Sequence, residues 1–324
     1  MRKLALLCLV SLMASPVVAA GHAQRSSLIL PEVVTSPVVK PIEDATLVAR
    51  VMAQALERRS RTRDGRVHIK AIDDVRSARR LVIPVAGSNA GGGGTLFFRS
   101  DVTLINYDDI PEDVLVIYWP IGTSNPPGGS LSAVQITLPP TRAVTYIDFV
   151  ATVMNKGGLG TLLFYPIYLG QLDDAAAVDG LSRIYTKQPG SNGTVSQEFP
   201  PVDADHFSAE DTAASLGLRQ DAGFRTNYGI VNIDSAPHTF HVRFVGERLT
   251  TETNLTVPAY GMLQTSAPGG DYGALVVHFE LTDPGTNFVS WIAYASSTDN
   301  ITGDGWVSIA GADFSPDQLK NIGL

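Results

Sequence analysis

The first thing missing from this sequence is cysteine: its one cysteine is Cys8, inside an apolar N-terminal run. If that run is removed on export, disulfides and thiolate metal sites are excluded, and folding must rest on ordinary hydrophobic cores. Catalytic signatures are missing as well. There is no His-Glu-x-x-His zinc pattern and no Gly-x-Ser-x-Gly elbow, and Gly91–Gly94 lacks the Lys-Ser/Thr that completes a phosphate loop. Beyond the N-terminus, no run is long and apolar enough to span a bilayer, which takes ~20 residues. Tryptophan is scarce, with three in the chain.

What is present begins at the N-terminus. Arg2 and Lys3 precede the apolar run Leu4–Met13, and small residues follow. This is the layout of a secretory signal peptide occupying residues 1–23, cleaved after Ala20 or Ala23. An uncleaved anchor is the alternative, but the apolar core is short for one. Leu7 before Cys8 does not fit a lipoprotein signal. The expected location is periplasmic or extracellular.

Residues 24–80 form a second region. Pro31, Pro37 and Pro41 keep its first part extended. Asp44 then caps an amphipathic helix whose stripe is Leu47, Val48, Val51, Met52, Ala55 and Leu56. The stripe is expected to pack on the neighbouring domain, with a membrane surface or an oligomer contact as alternatives. Residues 40–80 hold eleven Lys/Arg against six acids, a net of +5, whereas residues 81–324 hold ten against twenty-five, a net of −15. The basic segment is therefore suited to the acidic body or to an anionic surface, or it is a solvated linker. An exported acidic chain without a reading motif is not expected to bind nucleic acid.

From Leu81 the character changes to short β-branched runs punctuated by Gly, Pro, Asn and Asp, the signature of an all-β sandwich or barrel. The pattern occurs twice. Phe98–Asn106 (FRSDVTLIN) matches Phe224–Asn232 (FRTNYGIVN) at an offset of 126, as do Pro111 with Pro237 and Val114 with Phe240. Ile136–Pro139 then matches Leu255–Pro258, Gly160 falls on Gly273, and Ser182 falls on Ser290. The order is kept while loops change length. The expectation is a duplicated sandwich, with copies at residues 81–205 and 206–324. Phe240, Val242 and Phe244 alternate with His241 and Arg243, so one face should enter a core. Val114–Trp119 is apolar on both faces and needs a second cover, for which the amphipathic helix is the candidate. Pro139 and Pro258 should end strands, and Asn106 and Asn232 should bond turn backbone.

The phrases Gly217–Asn232 (GLRQDAGFRTNYGIVN), Ala293–Asp304 (AYASSTDNITGD) and Ser182–Thr194 (SRIYTKQPGSNGT) resemble duplicated immunoglobulin-like modules of secreted acidobacterial-type proteins. The resemblance covers roughly residues 80–312. It implies two tandem immunoglobulin-like sandwiches and export, and it supplies no catalytic residues.

Few residues suggest chemistry. Asp299 and Asp304 flank a loop whose oxygens suit Ca²⁺, although the alternating spacing of a calcium loop is absent. No other cofactor is indicated. Asp203, Asp205, His206, Glu210 and Asp211 lie between the copies and read as a solvated linker. His238 and His241 are three apart, which on a strand sends them to opposite faces. Trp119, Trp291 and Trp306, with Tyr165 and Tyr168, are the aromatics that could stack on sugars. The expected function is that of a non-enzymatic structural or interaction protein, its partner a protein or an envelope polysaccharide. Carbohydrate binding through exposed aromatics is the alternative, and an exported hydrolase the remaining reading.

Overall fold

A computed structural model describes residues 32–34, 39–42, 44–61, 80–91, 96–188, 190–203, 212–283 and 289–312. Residues 1–23, read above as a signal peptide, the basic stretch 62–79, Gly92–Gly94 and residues 204–211, read as a linker, lie outside the described residues.

Two short strands, β1 (Glu32–Val34) and β2 (Val39–Pro41), precede α1 (Ala45–Arg61). Next come β3 (Leu81–Gly91), β4 (Leu96–Asn106), β5 (Glu112–Pro120), β6 (Ser132–Leu138), β7 (Arg142–Tyr146) and α2 (Phe149–Thr152). The first repeat is completed by β8 (Gly158–Tyr168), β9 (Gln171–Leu172), β10 (Val178–Lys187), β11 (Thr194–Phe199) and β12 (Val202–Asp203). The second contains β13 (Thr212–Gln220), β14 (Phe224–Asn232), β15 (His238–Gly246), β16 (Thr250–Val257) and β17 (Gly261–Ser266). It closes with β18 (Gly273–Leu281), β19 (Trp291–Asp299), β20 (Gly305–Ile309) and β21 (Gly311–Ala312).

The described residues are all-β apart from two helices, and one strand-pairing order occurs twice. In the second repeat the sheets are β16-β15-β18-β13-β21 and β17-β14-β19-β20. The first repeat has β6-β5-β8-β3-β12 and β7-β4-β10-β11, joined because the far end of β3 leaves β8 and pairs β4. Both repeats carry a bulge at the same place, between Ile83 and Ala86 and between Ser215 and Leu218.

The ladders also correct two of the sequence matches. Val116 pairs Phe164 and Val242 pairs Phe279, so the β8/β18 offset is 115, and Gly273 (φ 70) corresponds to Gly158 (φ 94), not Gly160. A slip of two leaves every side chain on its own face, which hides it in the sequence. Ser182 pairs Val102 and Ala295 pairs Tyr228, so Ser182 corresponds to Ala295 rather than Ser290.

Local chemistry explains the elements. Asp44 Oδ1 accepts from Thr46 N at 2.9 Å and from the Thr46 hydroxyl, capping α1. Val48, Val51, Met52 and Ala55 are buried, as the stripe predicts. β6 ends at Leu138 and β16 at Val257, each followed by its proline. Asn106 Nδ2 donates to Ile110 O at 2.8 Å, and Asn232 Nδ2 donates to Ala236 O at 2.8 Å. Each Asn also accepts from the amide two residues on, at 2.9 and 3.0 Å.

In the second repeat the two sheets close on Phe240, Val242 and Phe244, with Tyr228–Phe244 at 5.0 Å and Phe240–Trp291 at 5.1 Å across the layers. This is a sandwich core, and His241 and Arg243 face outward as the alternation predicts. In the first repeat Leu115, Ile117 and Trp119, on the outer face of β5, are also buried. Val48, Val51, Met52 and Ala55 of helix α1 belong to the cluster that holds these residues, and Leu172 N of β9 donates to Gln54 Oε1 at 3.0 Å. The second repeat supplies part of the cover: Tyr260 meets the Trp119 ring edge-on at 6.1 Å.

The cluster continues across the repeats through Val231, Ile233, Tyr260, Met262, Ile292 and Tyr294. Burying six such side chains contributes on the order of 10 kcal/mol before ordering costs are subtracted. Gly122 N and Asn125 N also donate to Met262 O and Tyr260 O, at 2.9 and 3.1 Å. Loosely joined domains reorient freely, whereas an apolar joint with backbone hydrogen bonds holds one arrangement.

Candidate functional site: a cleft between the repeats

The three tryptophans are scattered. Trp119 and Trp291 are 0% exposed, so neither indole presents a face to a ligand. Tyr165 is buried too, while Tyr168 is exposed. Trp306 is 37% exposed, stands edge-on to Phe224 at 5.8 Å, and donates from Nε1 to Gly217 O at 2.8 Å. It borders a shallow concavity with Arg219 and Arg248.

The loop joining β19 to β20 closes on itself. Asp299 Oδ1 accepts from Ile301 N at 2.6 Å and from Thr302 N at 3.1 Å, and these backbone bonds hold its carboxyl below the usual range. Asp304 is exposed, and its amide bonds Thr302 Oγ1 at 3.2 Å. The turn is thus completed by its own amides. Among the described residues, no group of three or more His, Cys, Asp or Glu is placed to hold a metal ion. His238 bonds Asp234 at 2.8 Å, while His241 lies outward beside Glu252 at 3.3 Å and Glu280 at 3.8 Å, so the two imidazoles share no site.

A concave feature lined by many polar groups lies between the repeats, a cleft of about 350 Å³. That volume falls in the ~300–1,000 Å³ range of small-ligand sites, which favour such junctions. One wall is the outer face of β14 and β17, the other the ends of β3, β4, β10 and β11. The β19–β20 loop forms the rim, where Ile301 is 90% exposed.

Strand alternation builds the wall. Thr226, Tyr228 and Ile230 point into the second repeat's sandwich, so Arg225, Asn227, Gly229 and Val231 point out. Polar Arg225 and Asn227 line the cleft, while Val231 further along belongs to the apolar joint. The outer face of one strand therefore changes from cleft wall to interface within two turns of the pleat.

Hydrogen bonding leaves specific groups free. The Tyr294 hydroxyl donates to Gln264 Oε1 at 2.9 Å, crossing β14 at Gly229, where any Cβ would collide with the phenol. Burial pushes the Tyr294 phenol well up, so it stays a donor, occupies the Gln264 oxygen and leaves Gln264 Nε2 unbonded. Ser266 Oγ donates to Asn227 Oδ1 at 2.9 Å, leaving Asn227 Nδ2. Gln197 Nε2 bonds Thr298 Oγ1 at 2.9 Å, leaving its oxygen. Asn89 Oδ1 is a buried acceptor with no partner. Arg225 Nη1 donates to Asn300 Oδ1 at 2.9 Å and is the one ionisable group among the described lining residues.

None of these polar residues stands out in the sequence, where each reads as an ordinary solvent-facing strand position. The available signal was the outward set on Phe224–Asn232, polar at one end and apolar at the other. No protein-family model matches the chain, and no curated protein sequence matches it.

Proposed function

We propose that the chain is an exported, non-enzymatic binding protein of the cell envelope or extracellular space, built from two tandem immunoglobulin-like sandwiches, with the cleft between them as its binding surface. The observation carrying this reading is the chemistry of the lining. It offers side-chain amides, hydroxyls and apolar contact, and Arg225 is its one charged group among the described residues. Such a set holds a ligand, whereas transforming one by acid–base chemistry calls for a positioned titratable pair. The strand order that repeats in both halves supports the reading as duplicated immunoglobulin-like modules. Export rests on the N-terminal sequence, and no helix among the described residues is long and apolar enough to cross a membrane.

Co-sedimentation of the mature chain with insoluble polysaccharides, peptidoglycan and whole envelopes tests this, run beside a panel of esterase, glycosidase and peptidase substrates. Saturable pelleting with one component and no turnover is the expected result. Turnover that survives purification to homogeneity would overturn the reading.

A further inference from the structure

We infer that the cleft is a saccharide site, taking the end of a neutral oligosaccharide against Asn227 and Gln264. This rests on the reading of the cleft as the binding surface and names its ligand class.

The wall favours a sugar over a peptide. One common mode of peptide binding adds a strand to a free sheet edge. Here β14 is paired on both sides, with β17 from Asn227 to Asn232 and with β19 from Phe224 to Asn232. Over β14 the ligand meets a sheet face and recognition falls to side chains, while β17 and β11, paired on one side only among the described residues, offer edges at the margins.

Those side chains are of mixed character. Asn227 Nδ2 and Gln264 Nε2 are free donors, and Gln197 Oε1 is a free acceptor. A ligand hydroxyl both donates and accepts, so adjacent hydroxyls on one ring can satisfy such a set. A carboxylate or phosphate, which only accepts, would leave Gln197 Oε1 unpaired.

The apolar part of the lining fits the same ligand. Phe98, Leu159, Ile184 and Val195 offer hydrocarbon to the C–H face of a pyranose. Gly91 allows the Phe98 ring to lie flat there, since a Cβ at that position would press into the ring at 2.6 Å. Arg225, steadied by Asn300, adds donors at the rim. The site differs from the one the tryptophans suggest: Trp306 lies outside this lining.

The mature chain would be applied to an array of neutral, amino and acidic oligosaccharides and of extended peptides, and the best neutral saccharide then titrated by calorimetry. Asn227→Ala and Gln264→Ala should each weaken its binding at least tenfold, while Trp306→Ala leaves it within twofold. As a readout independent of the variants, the side-chain amide resonances of Asn227 and Gln264 in the ¹⁵N-labelled chain should shift on titration. No saccharide bound, a peptide bound instead, or binding abolished by Trp306→Ala alone would each overturn the inference. If an envelope component still pelleted with both cleft variants, the chain would remain a binding protein, but the cleft would fall both as its binding surface and as the saccharide site.

Discussion

Glu112 and His238 occupy the same position in the two repeats. Each opens its strand, and each pairs across to the last residue of the next strand, Leu138 or Val257. Both are buried. His238 has an acid partner, with Nε2 2.8 Å from Asp234, and that bond raises its pKa. Among the described residues no cation pairs with Glu112. Burial first, then Asp173, Asp108 and Asp113, push its carboxyl up to about 7.

Stability should therefore fall as pH rises through neutrality. A raised carboxyl contributes stability that is full below its unfolded value, near 4.5, and is lost as pH passes about 7. The loss is on the order of 3 kcal/mol at most. His238, also raised, acts with the same sign: its contribution is present below 6.5 and is lost as pH climbs through its folded value. Denaturant midpoints at about pH 5 and pH 8 check this. Glu112→Gln should flatten most of the difference, and an unchanged slope would refute the assignment.

Asn106 and Asn232 should be equally costly to remove. Both are fully buried, and each bonds the carbonyl four residues on and the amide two residues on. Asn106→Ala and Asn232→Ala should each cost ~2–3 kcal/mol by leaving buried backbone groups unpaired. Urea unfolding of both variants is the measurement, and a large inequality would show that the repeats do not share this turn.

The two repeats should unfold in one transition. Met262 and Tyr294 of the second repeat belong to the cluster that holds Trp119 and Phe164 of the first. Met262→Ala should lower stability by ~2–5 kcal/mol without splitting the transition. Met262→Asp, which buries an unpaired charge in the joint, should separate calorimetric unfolding into two peaks. Two peaks in the unaltered chain would contradict the continuous core.

Deleting residues 31–41 should cause association. β1 lies parallel on β7 and β2 antiparallel on β6, so one edge of each sheet of the first repeat carries an added strand. Removing these strands exposes ladder groups that pair readily with another chain. Light scattering should report higher mass in the truncated chain, and Gln135→Lys or Thr145→Lys, at outward-facing positions of β6 and β7, should reverse the increase.

Much of the secondary structure was legible in the sequence because it follows from local rules. A period of two along Phe240–Phe244 selects one face, an Asp before an apolar stripe starts a helix, and Asn at the end of a strand closes a turn. Such rules say which residues share a face but not what covers it. The apolar outer face of Val114–Trp119 signalled a missing cover, and tertiary packing decided that Tyr260 of the other repeat provides part of it. Likewise the sequence contains Arg225, Asn227, Gln264 and Gln197, but strands far apart in the chain bring them to one cleft. The repeat itself was determined by sequence. Its register was not, because a slip of two preserves every face and only the hydrogen-bonded ladder distinguishes Gly158 from Gly160.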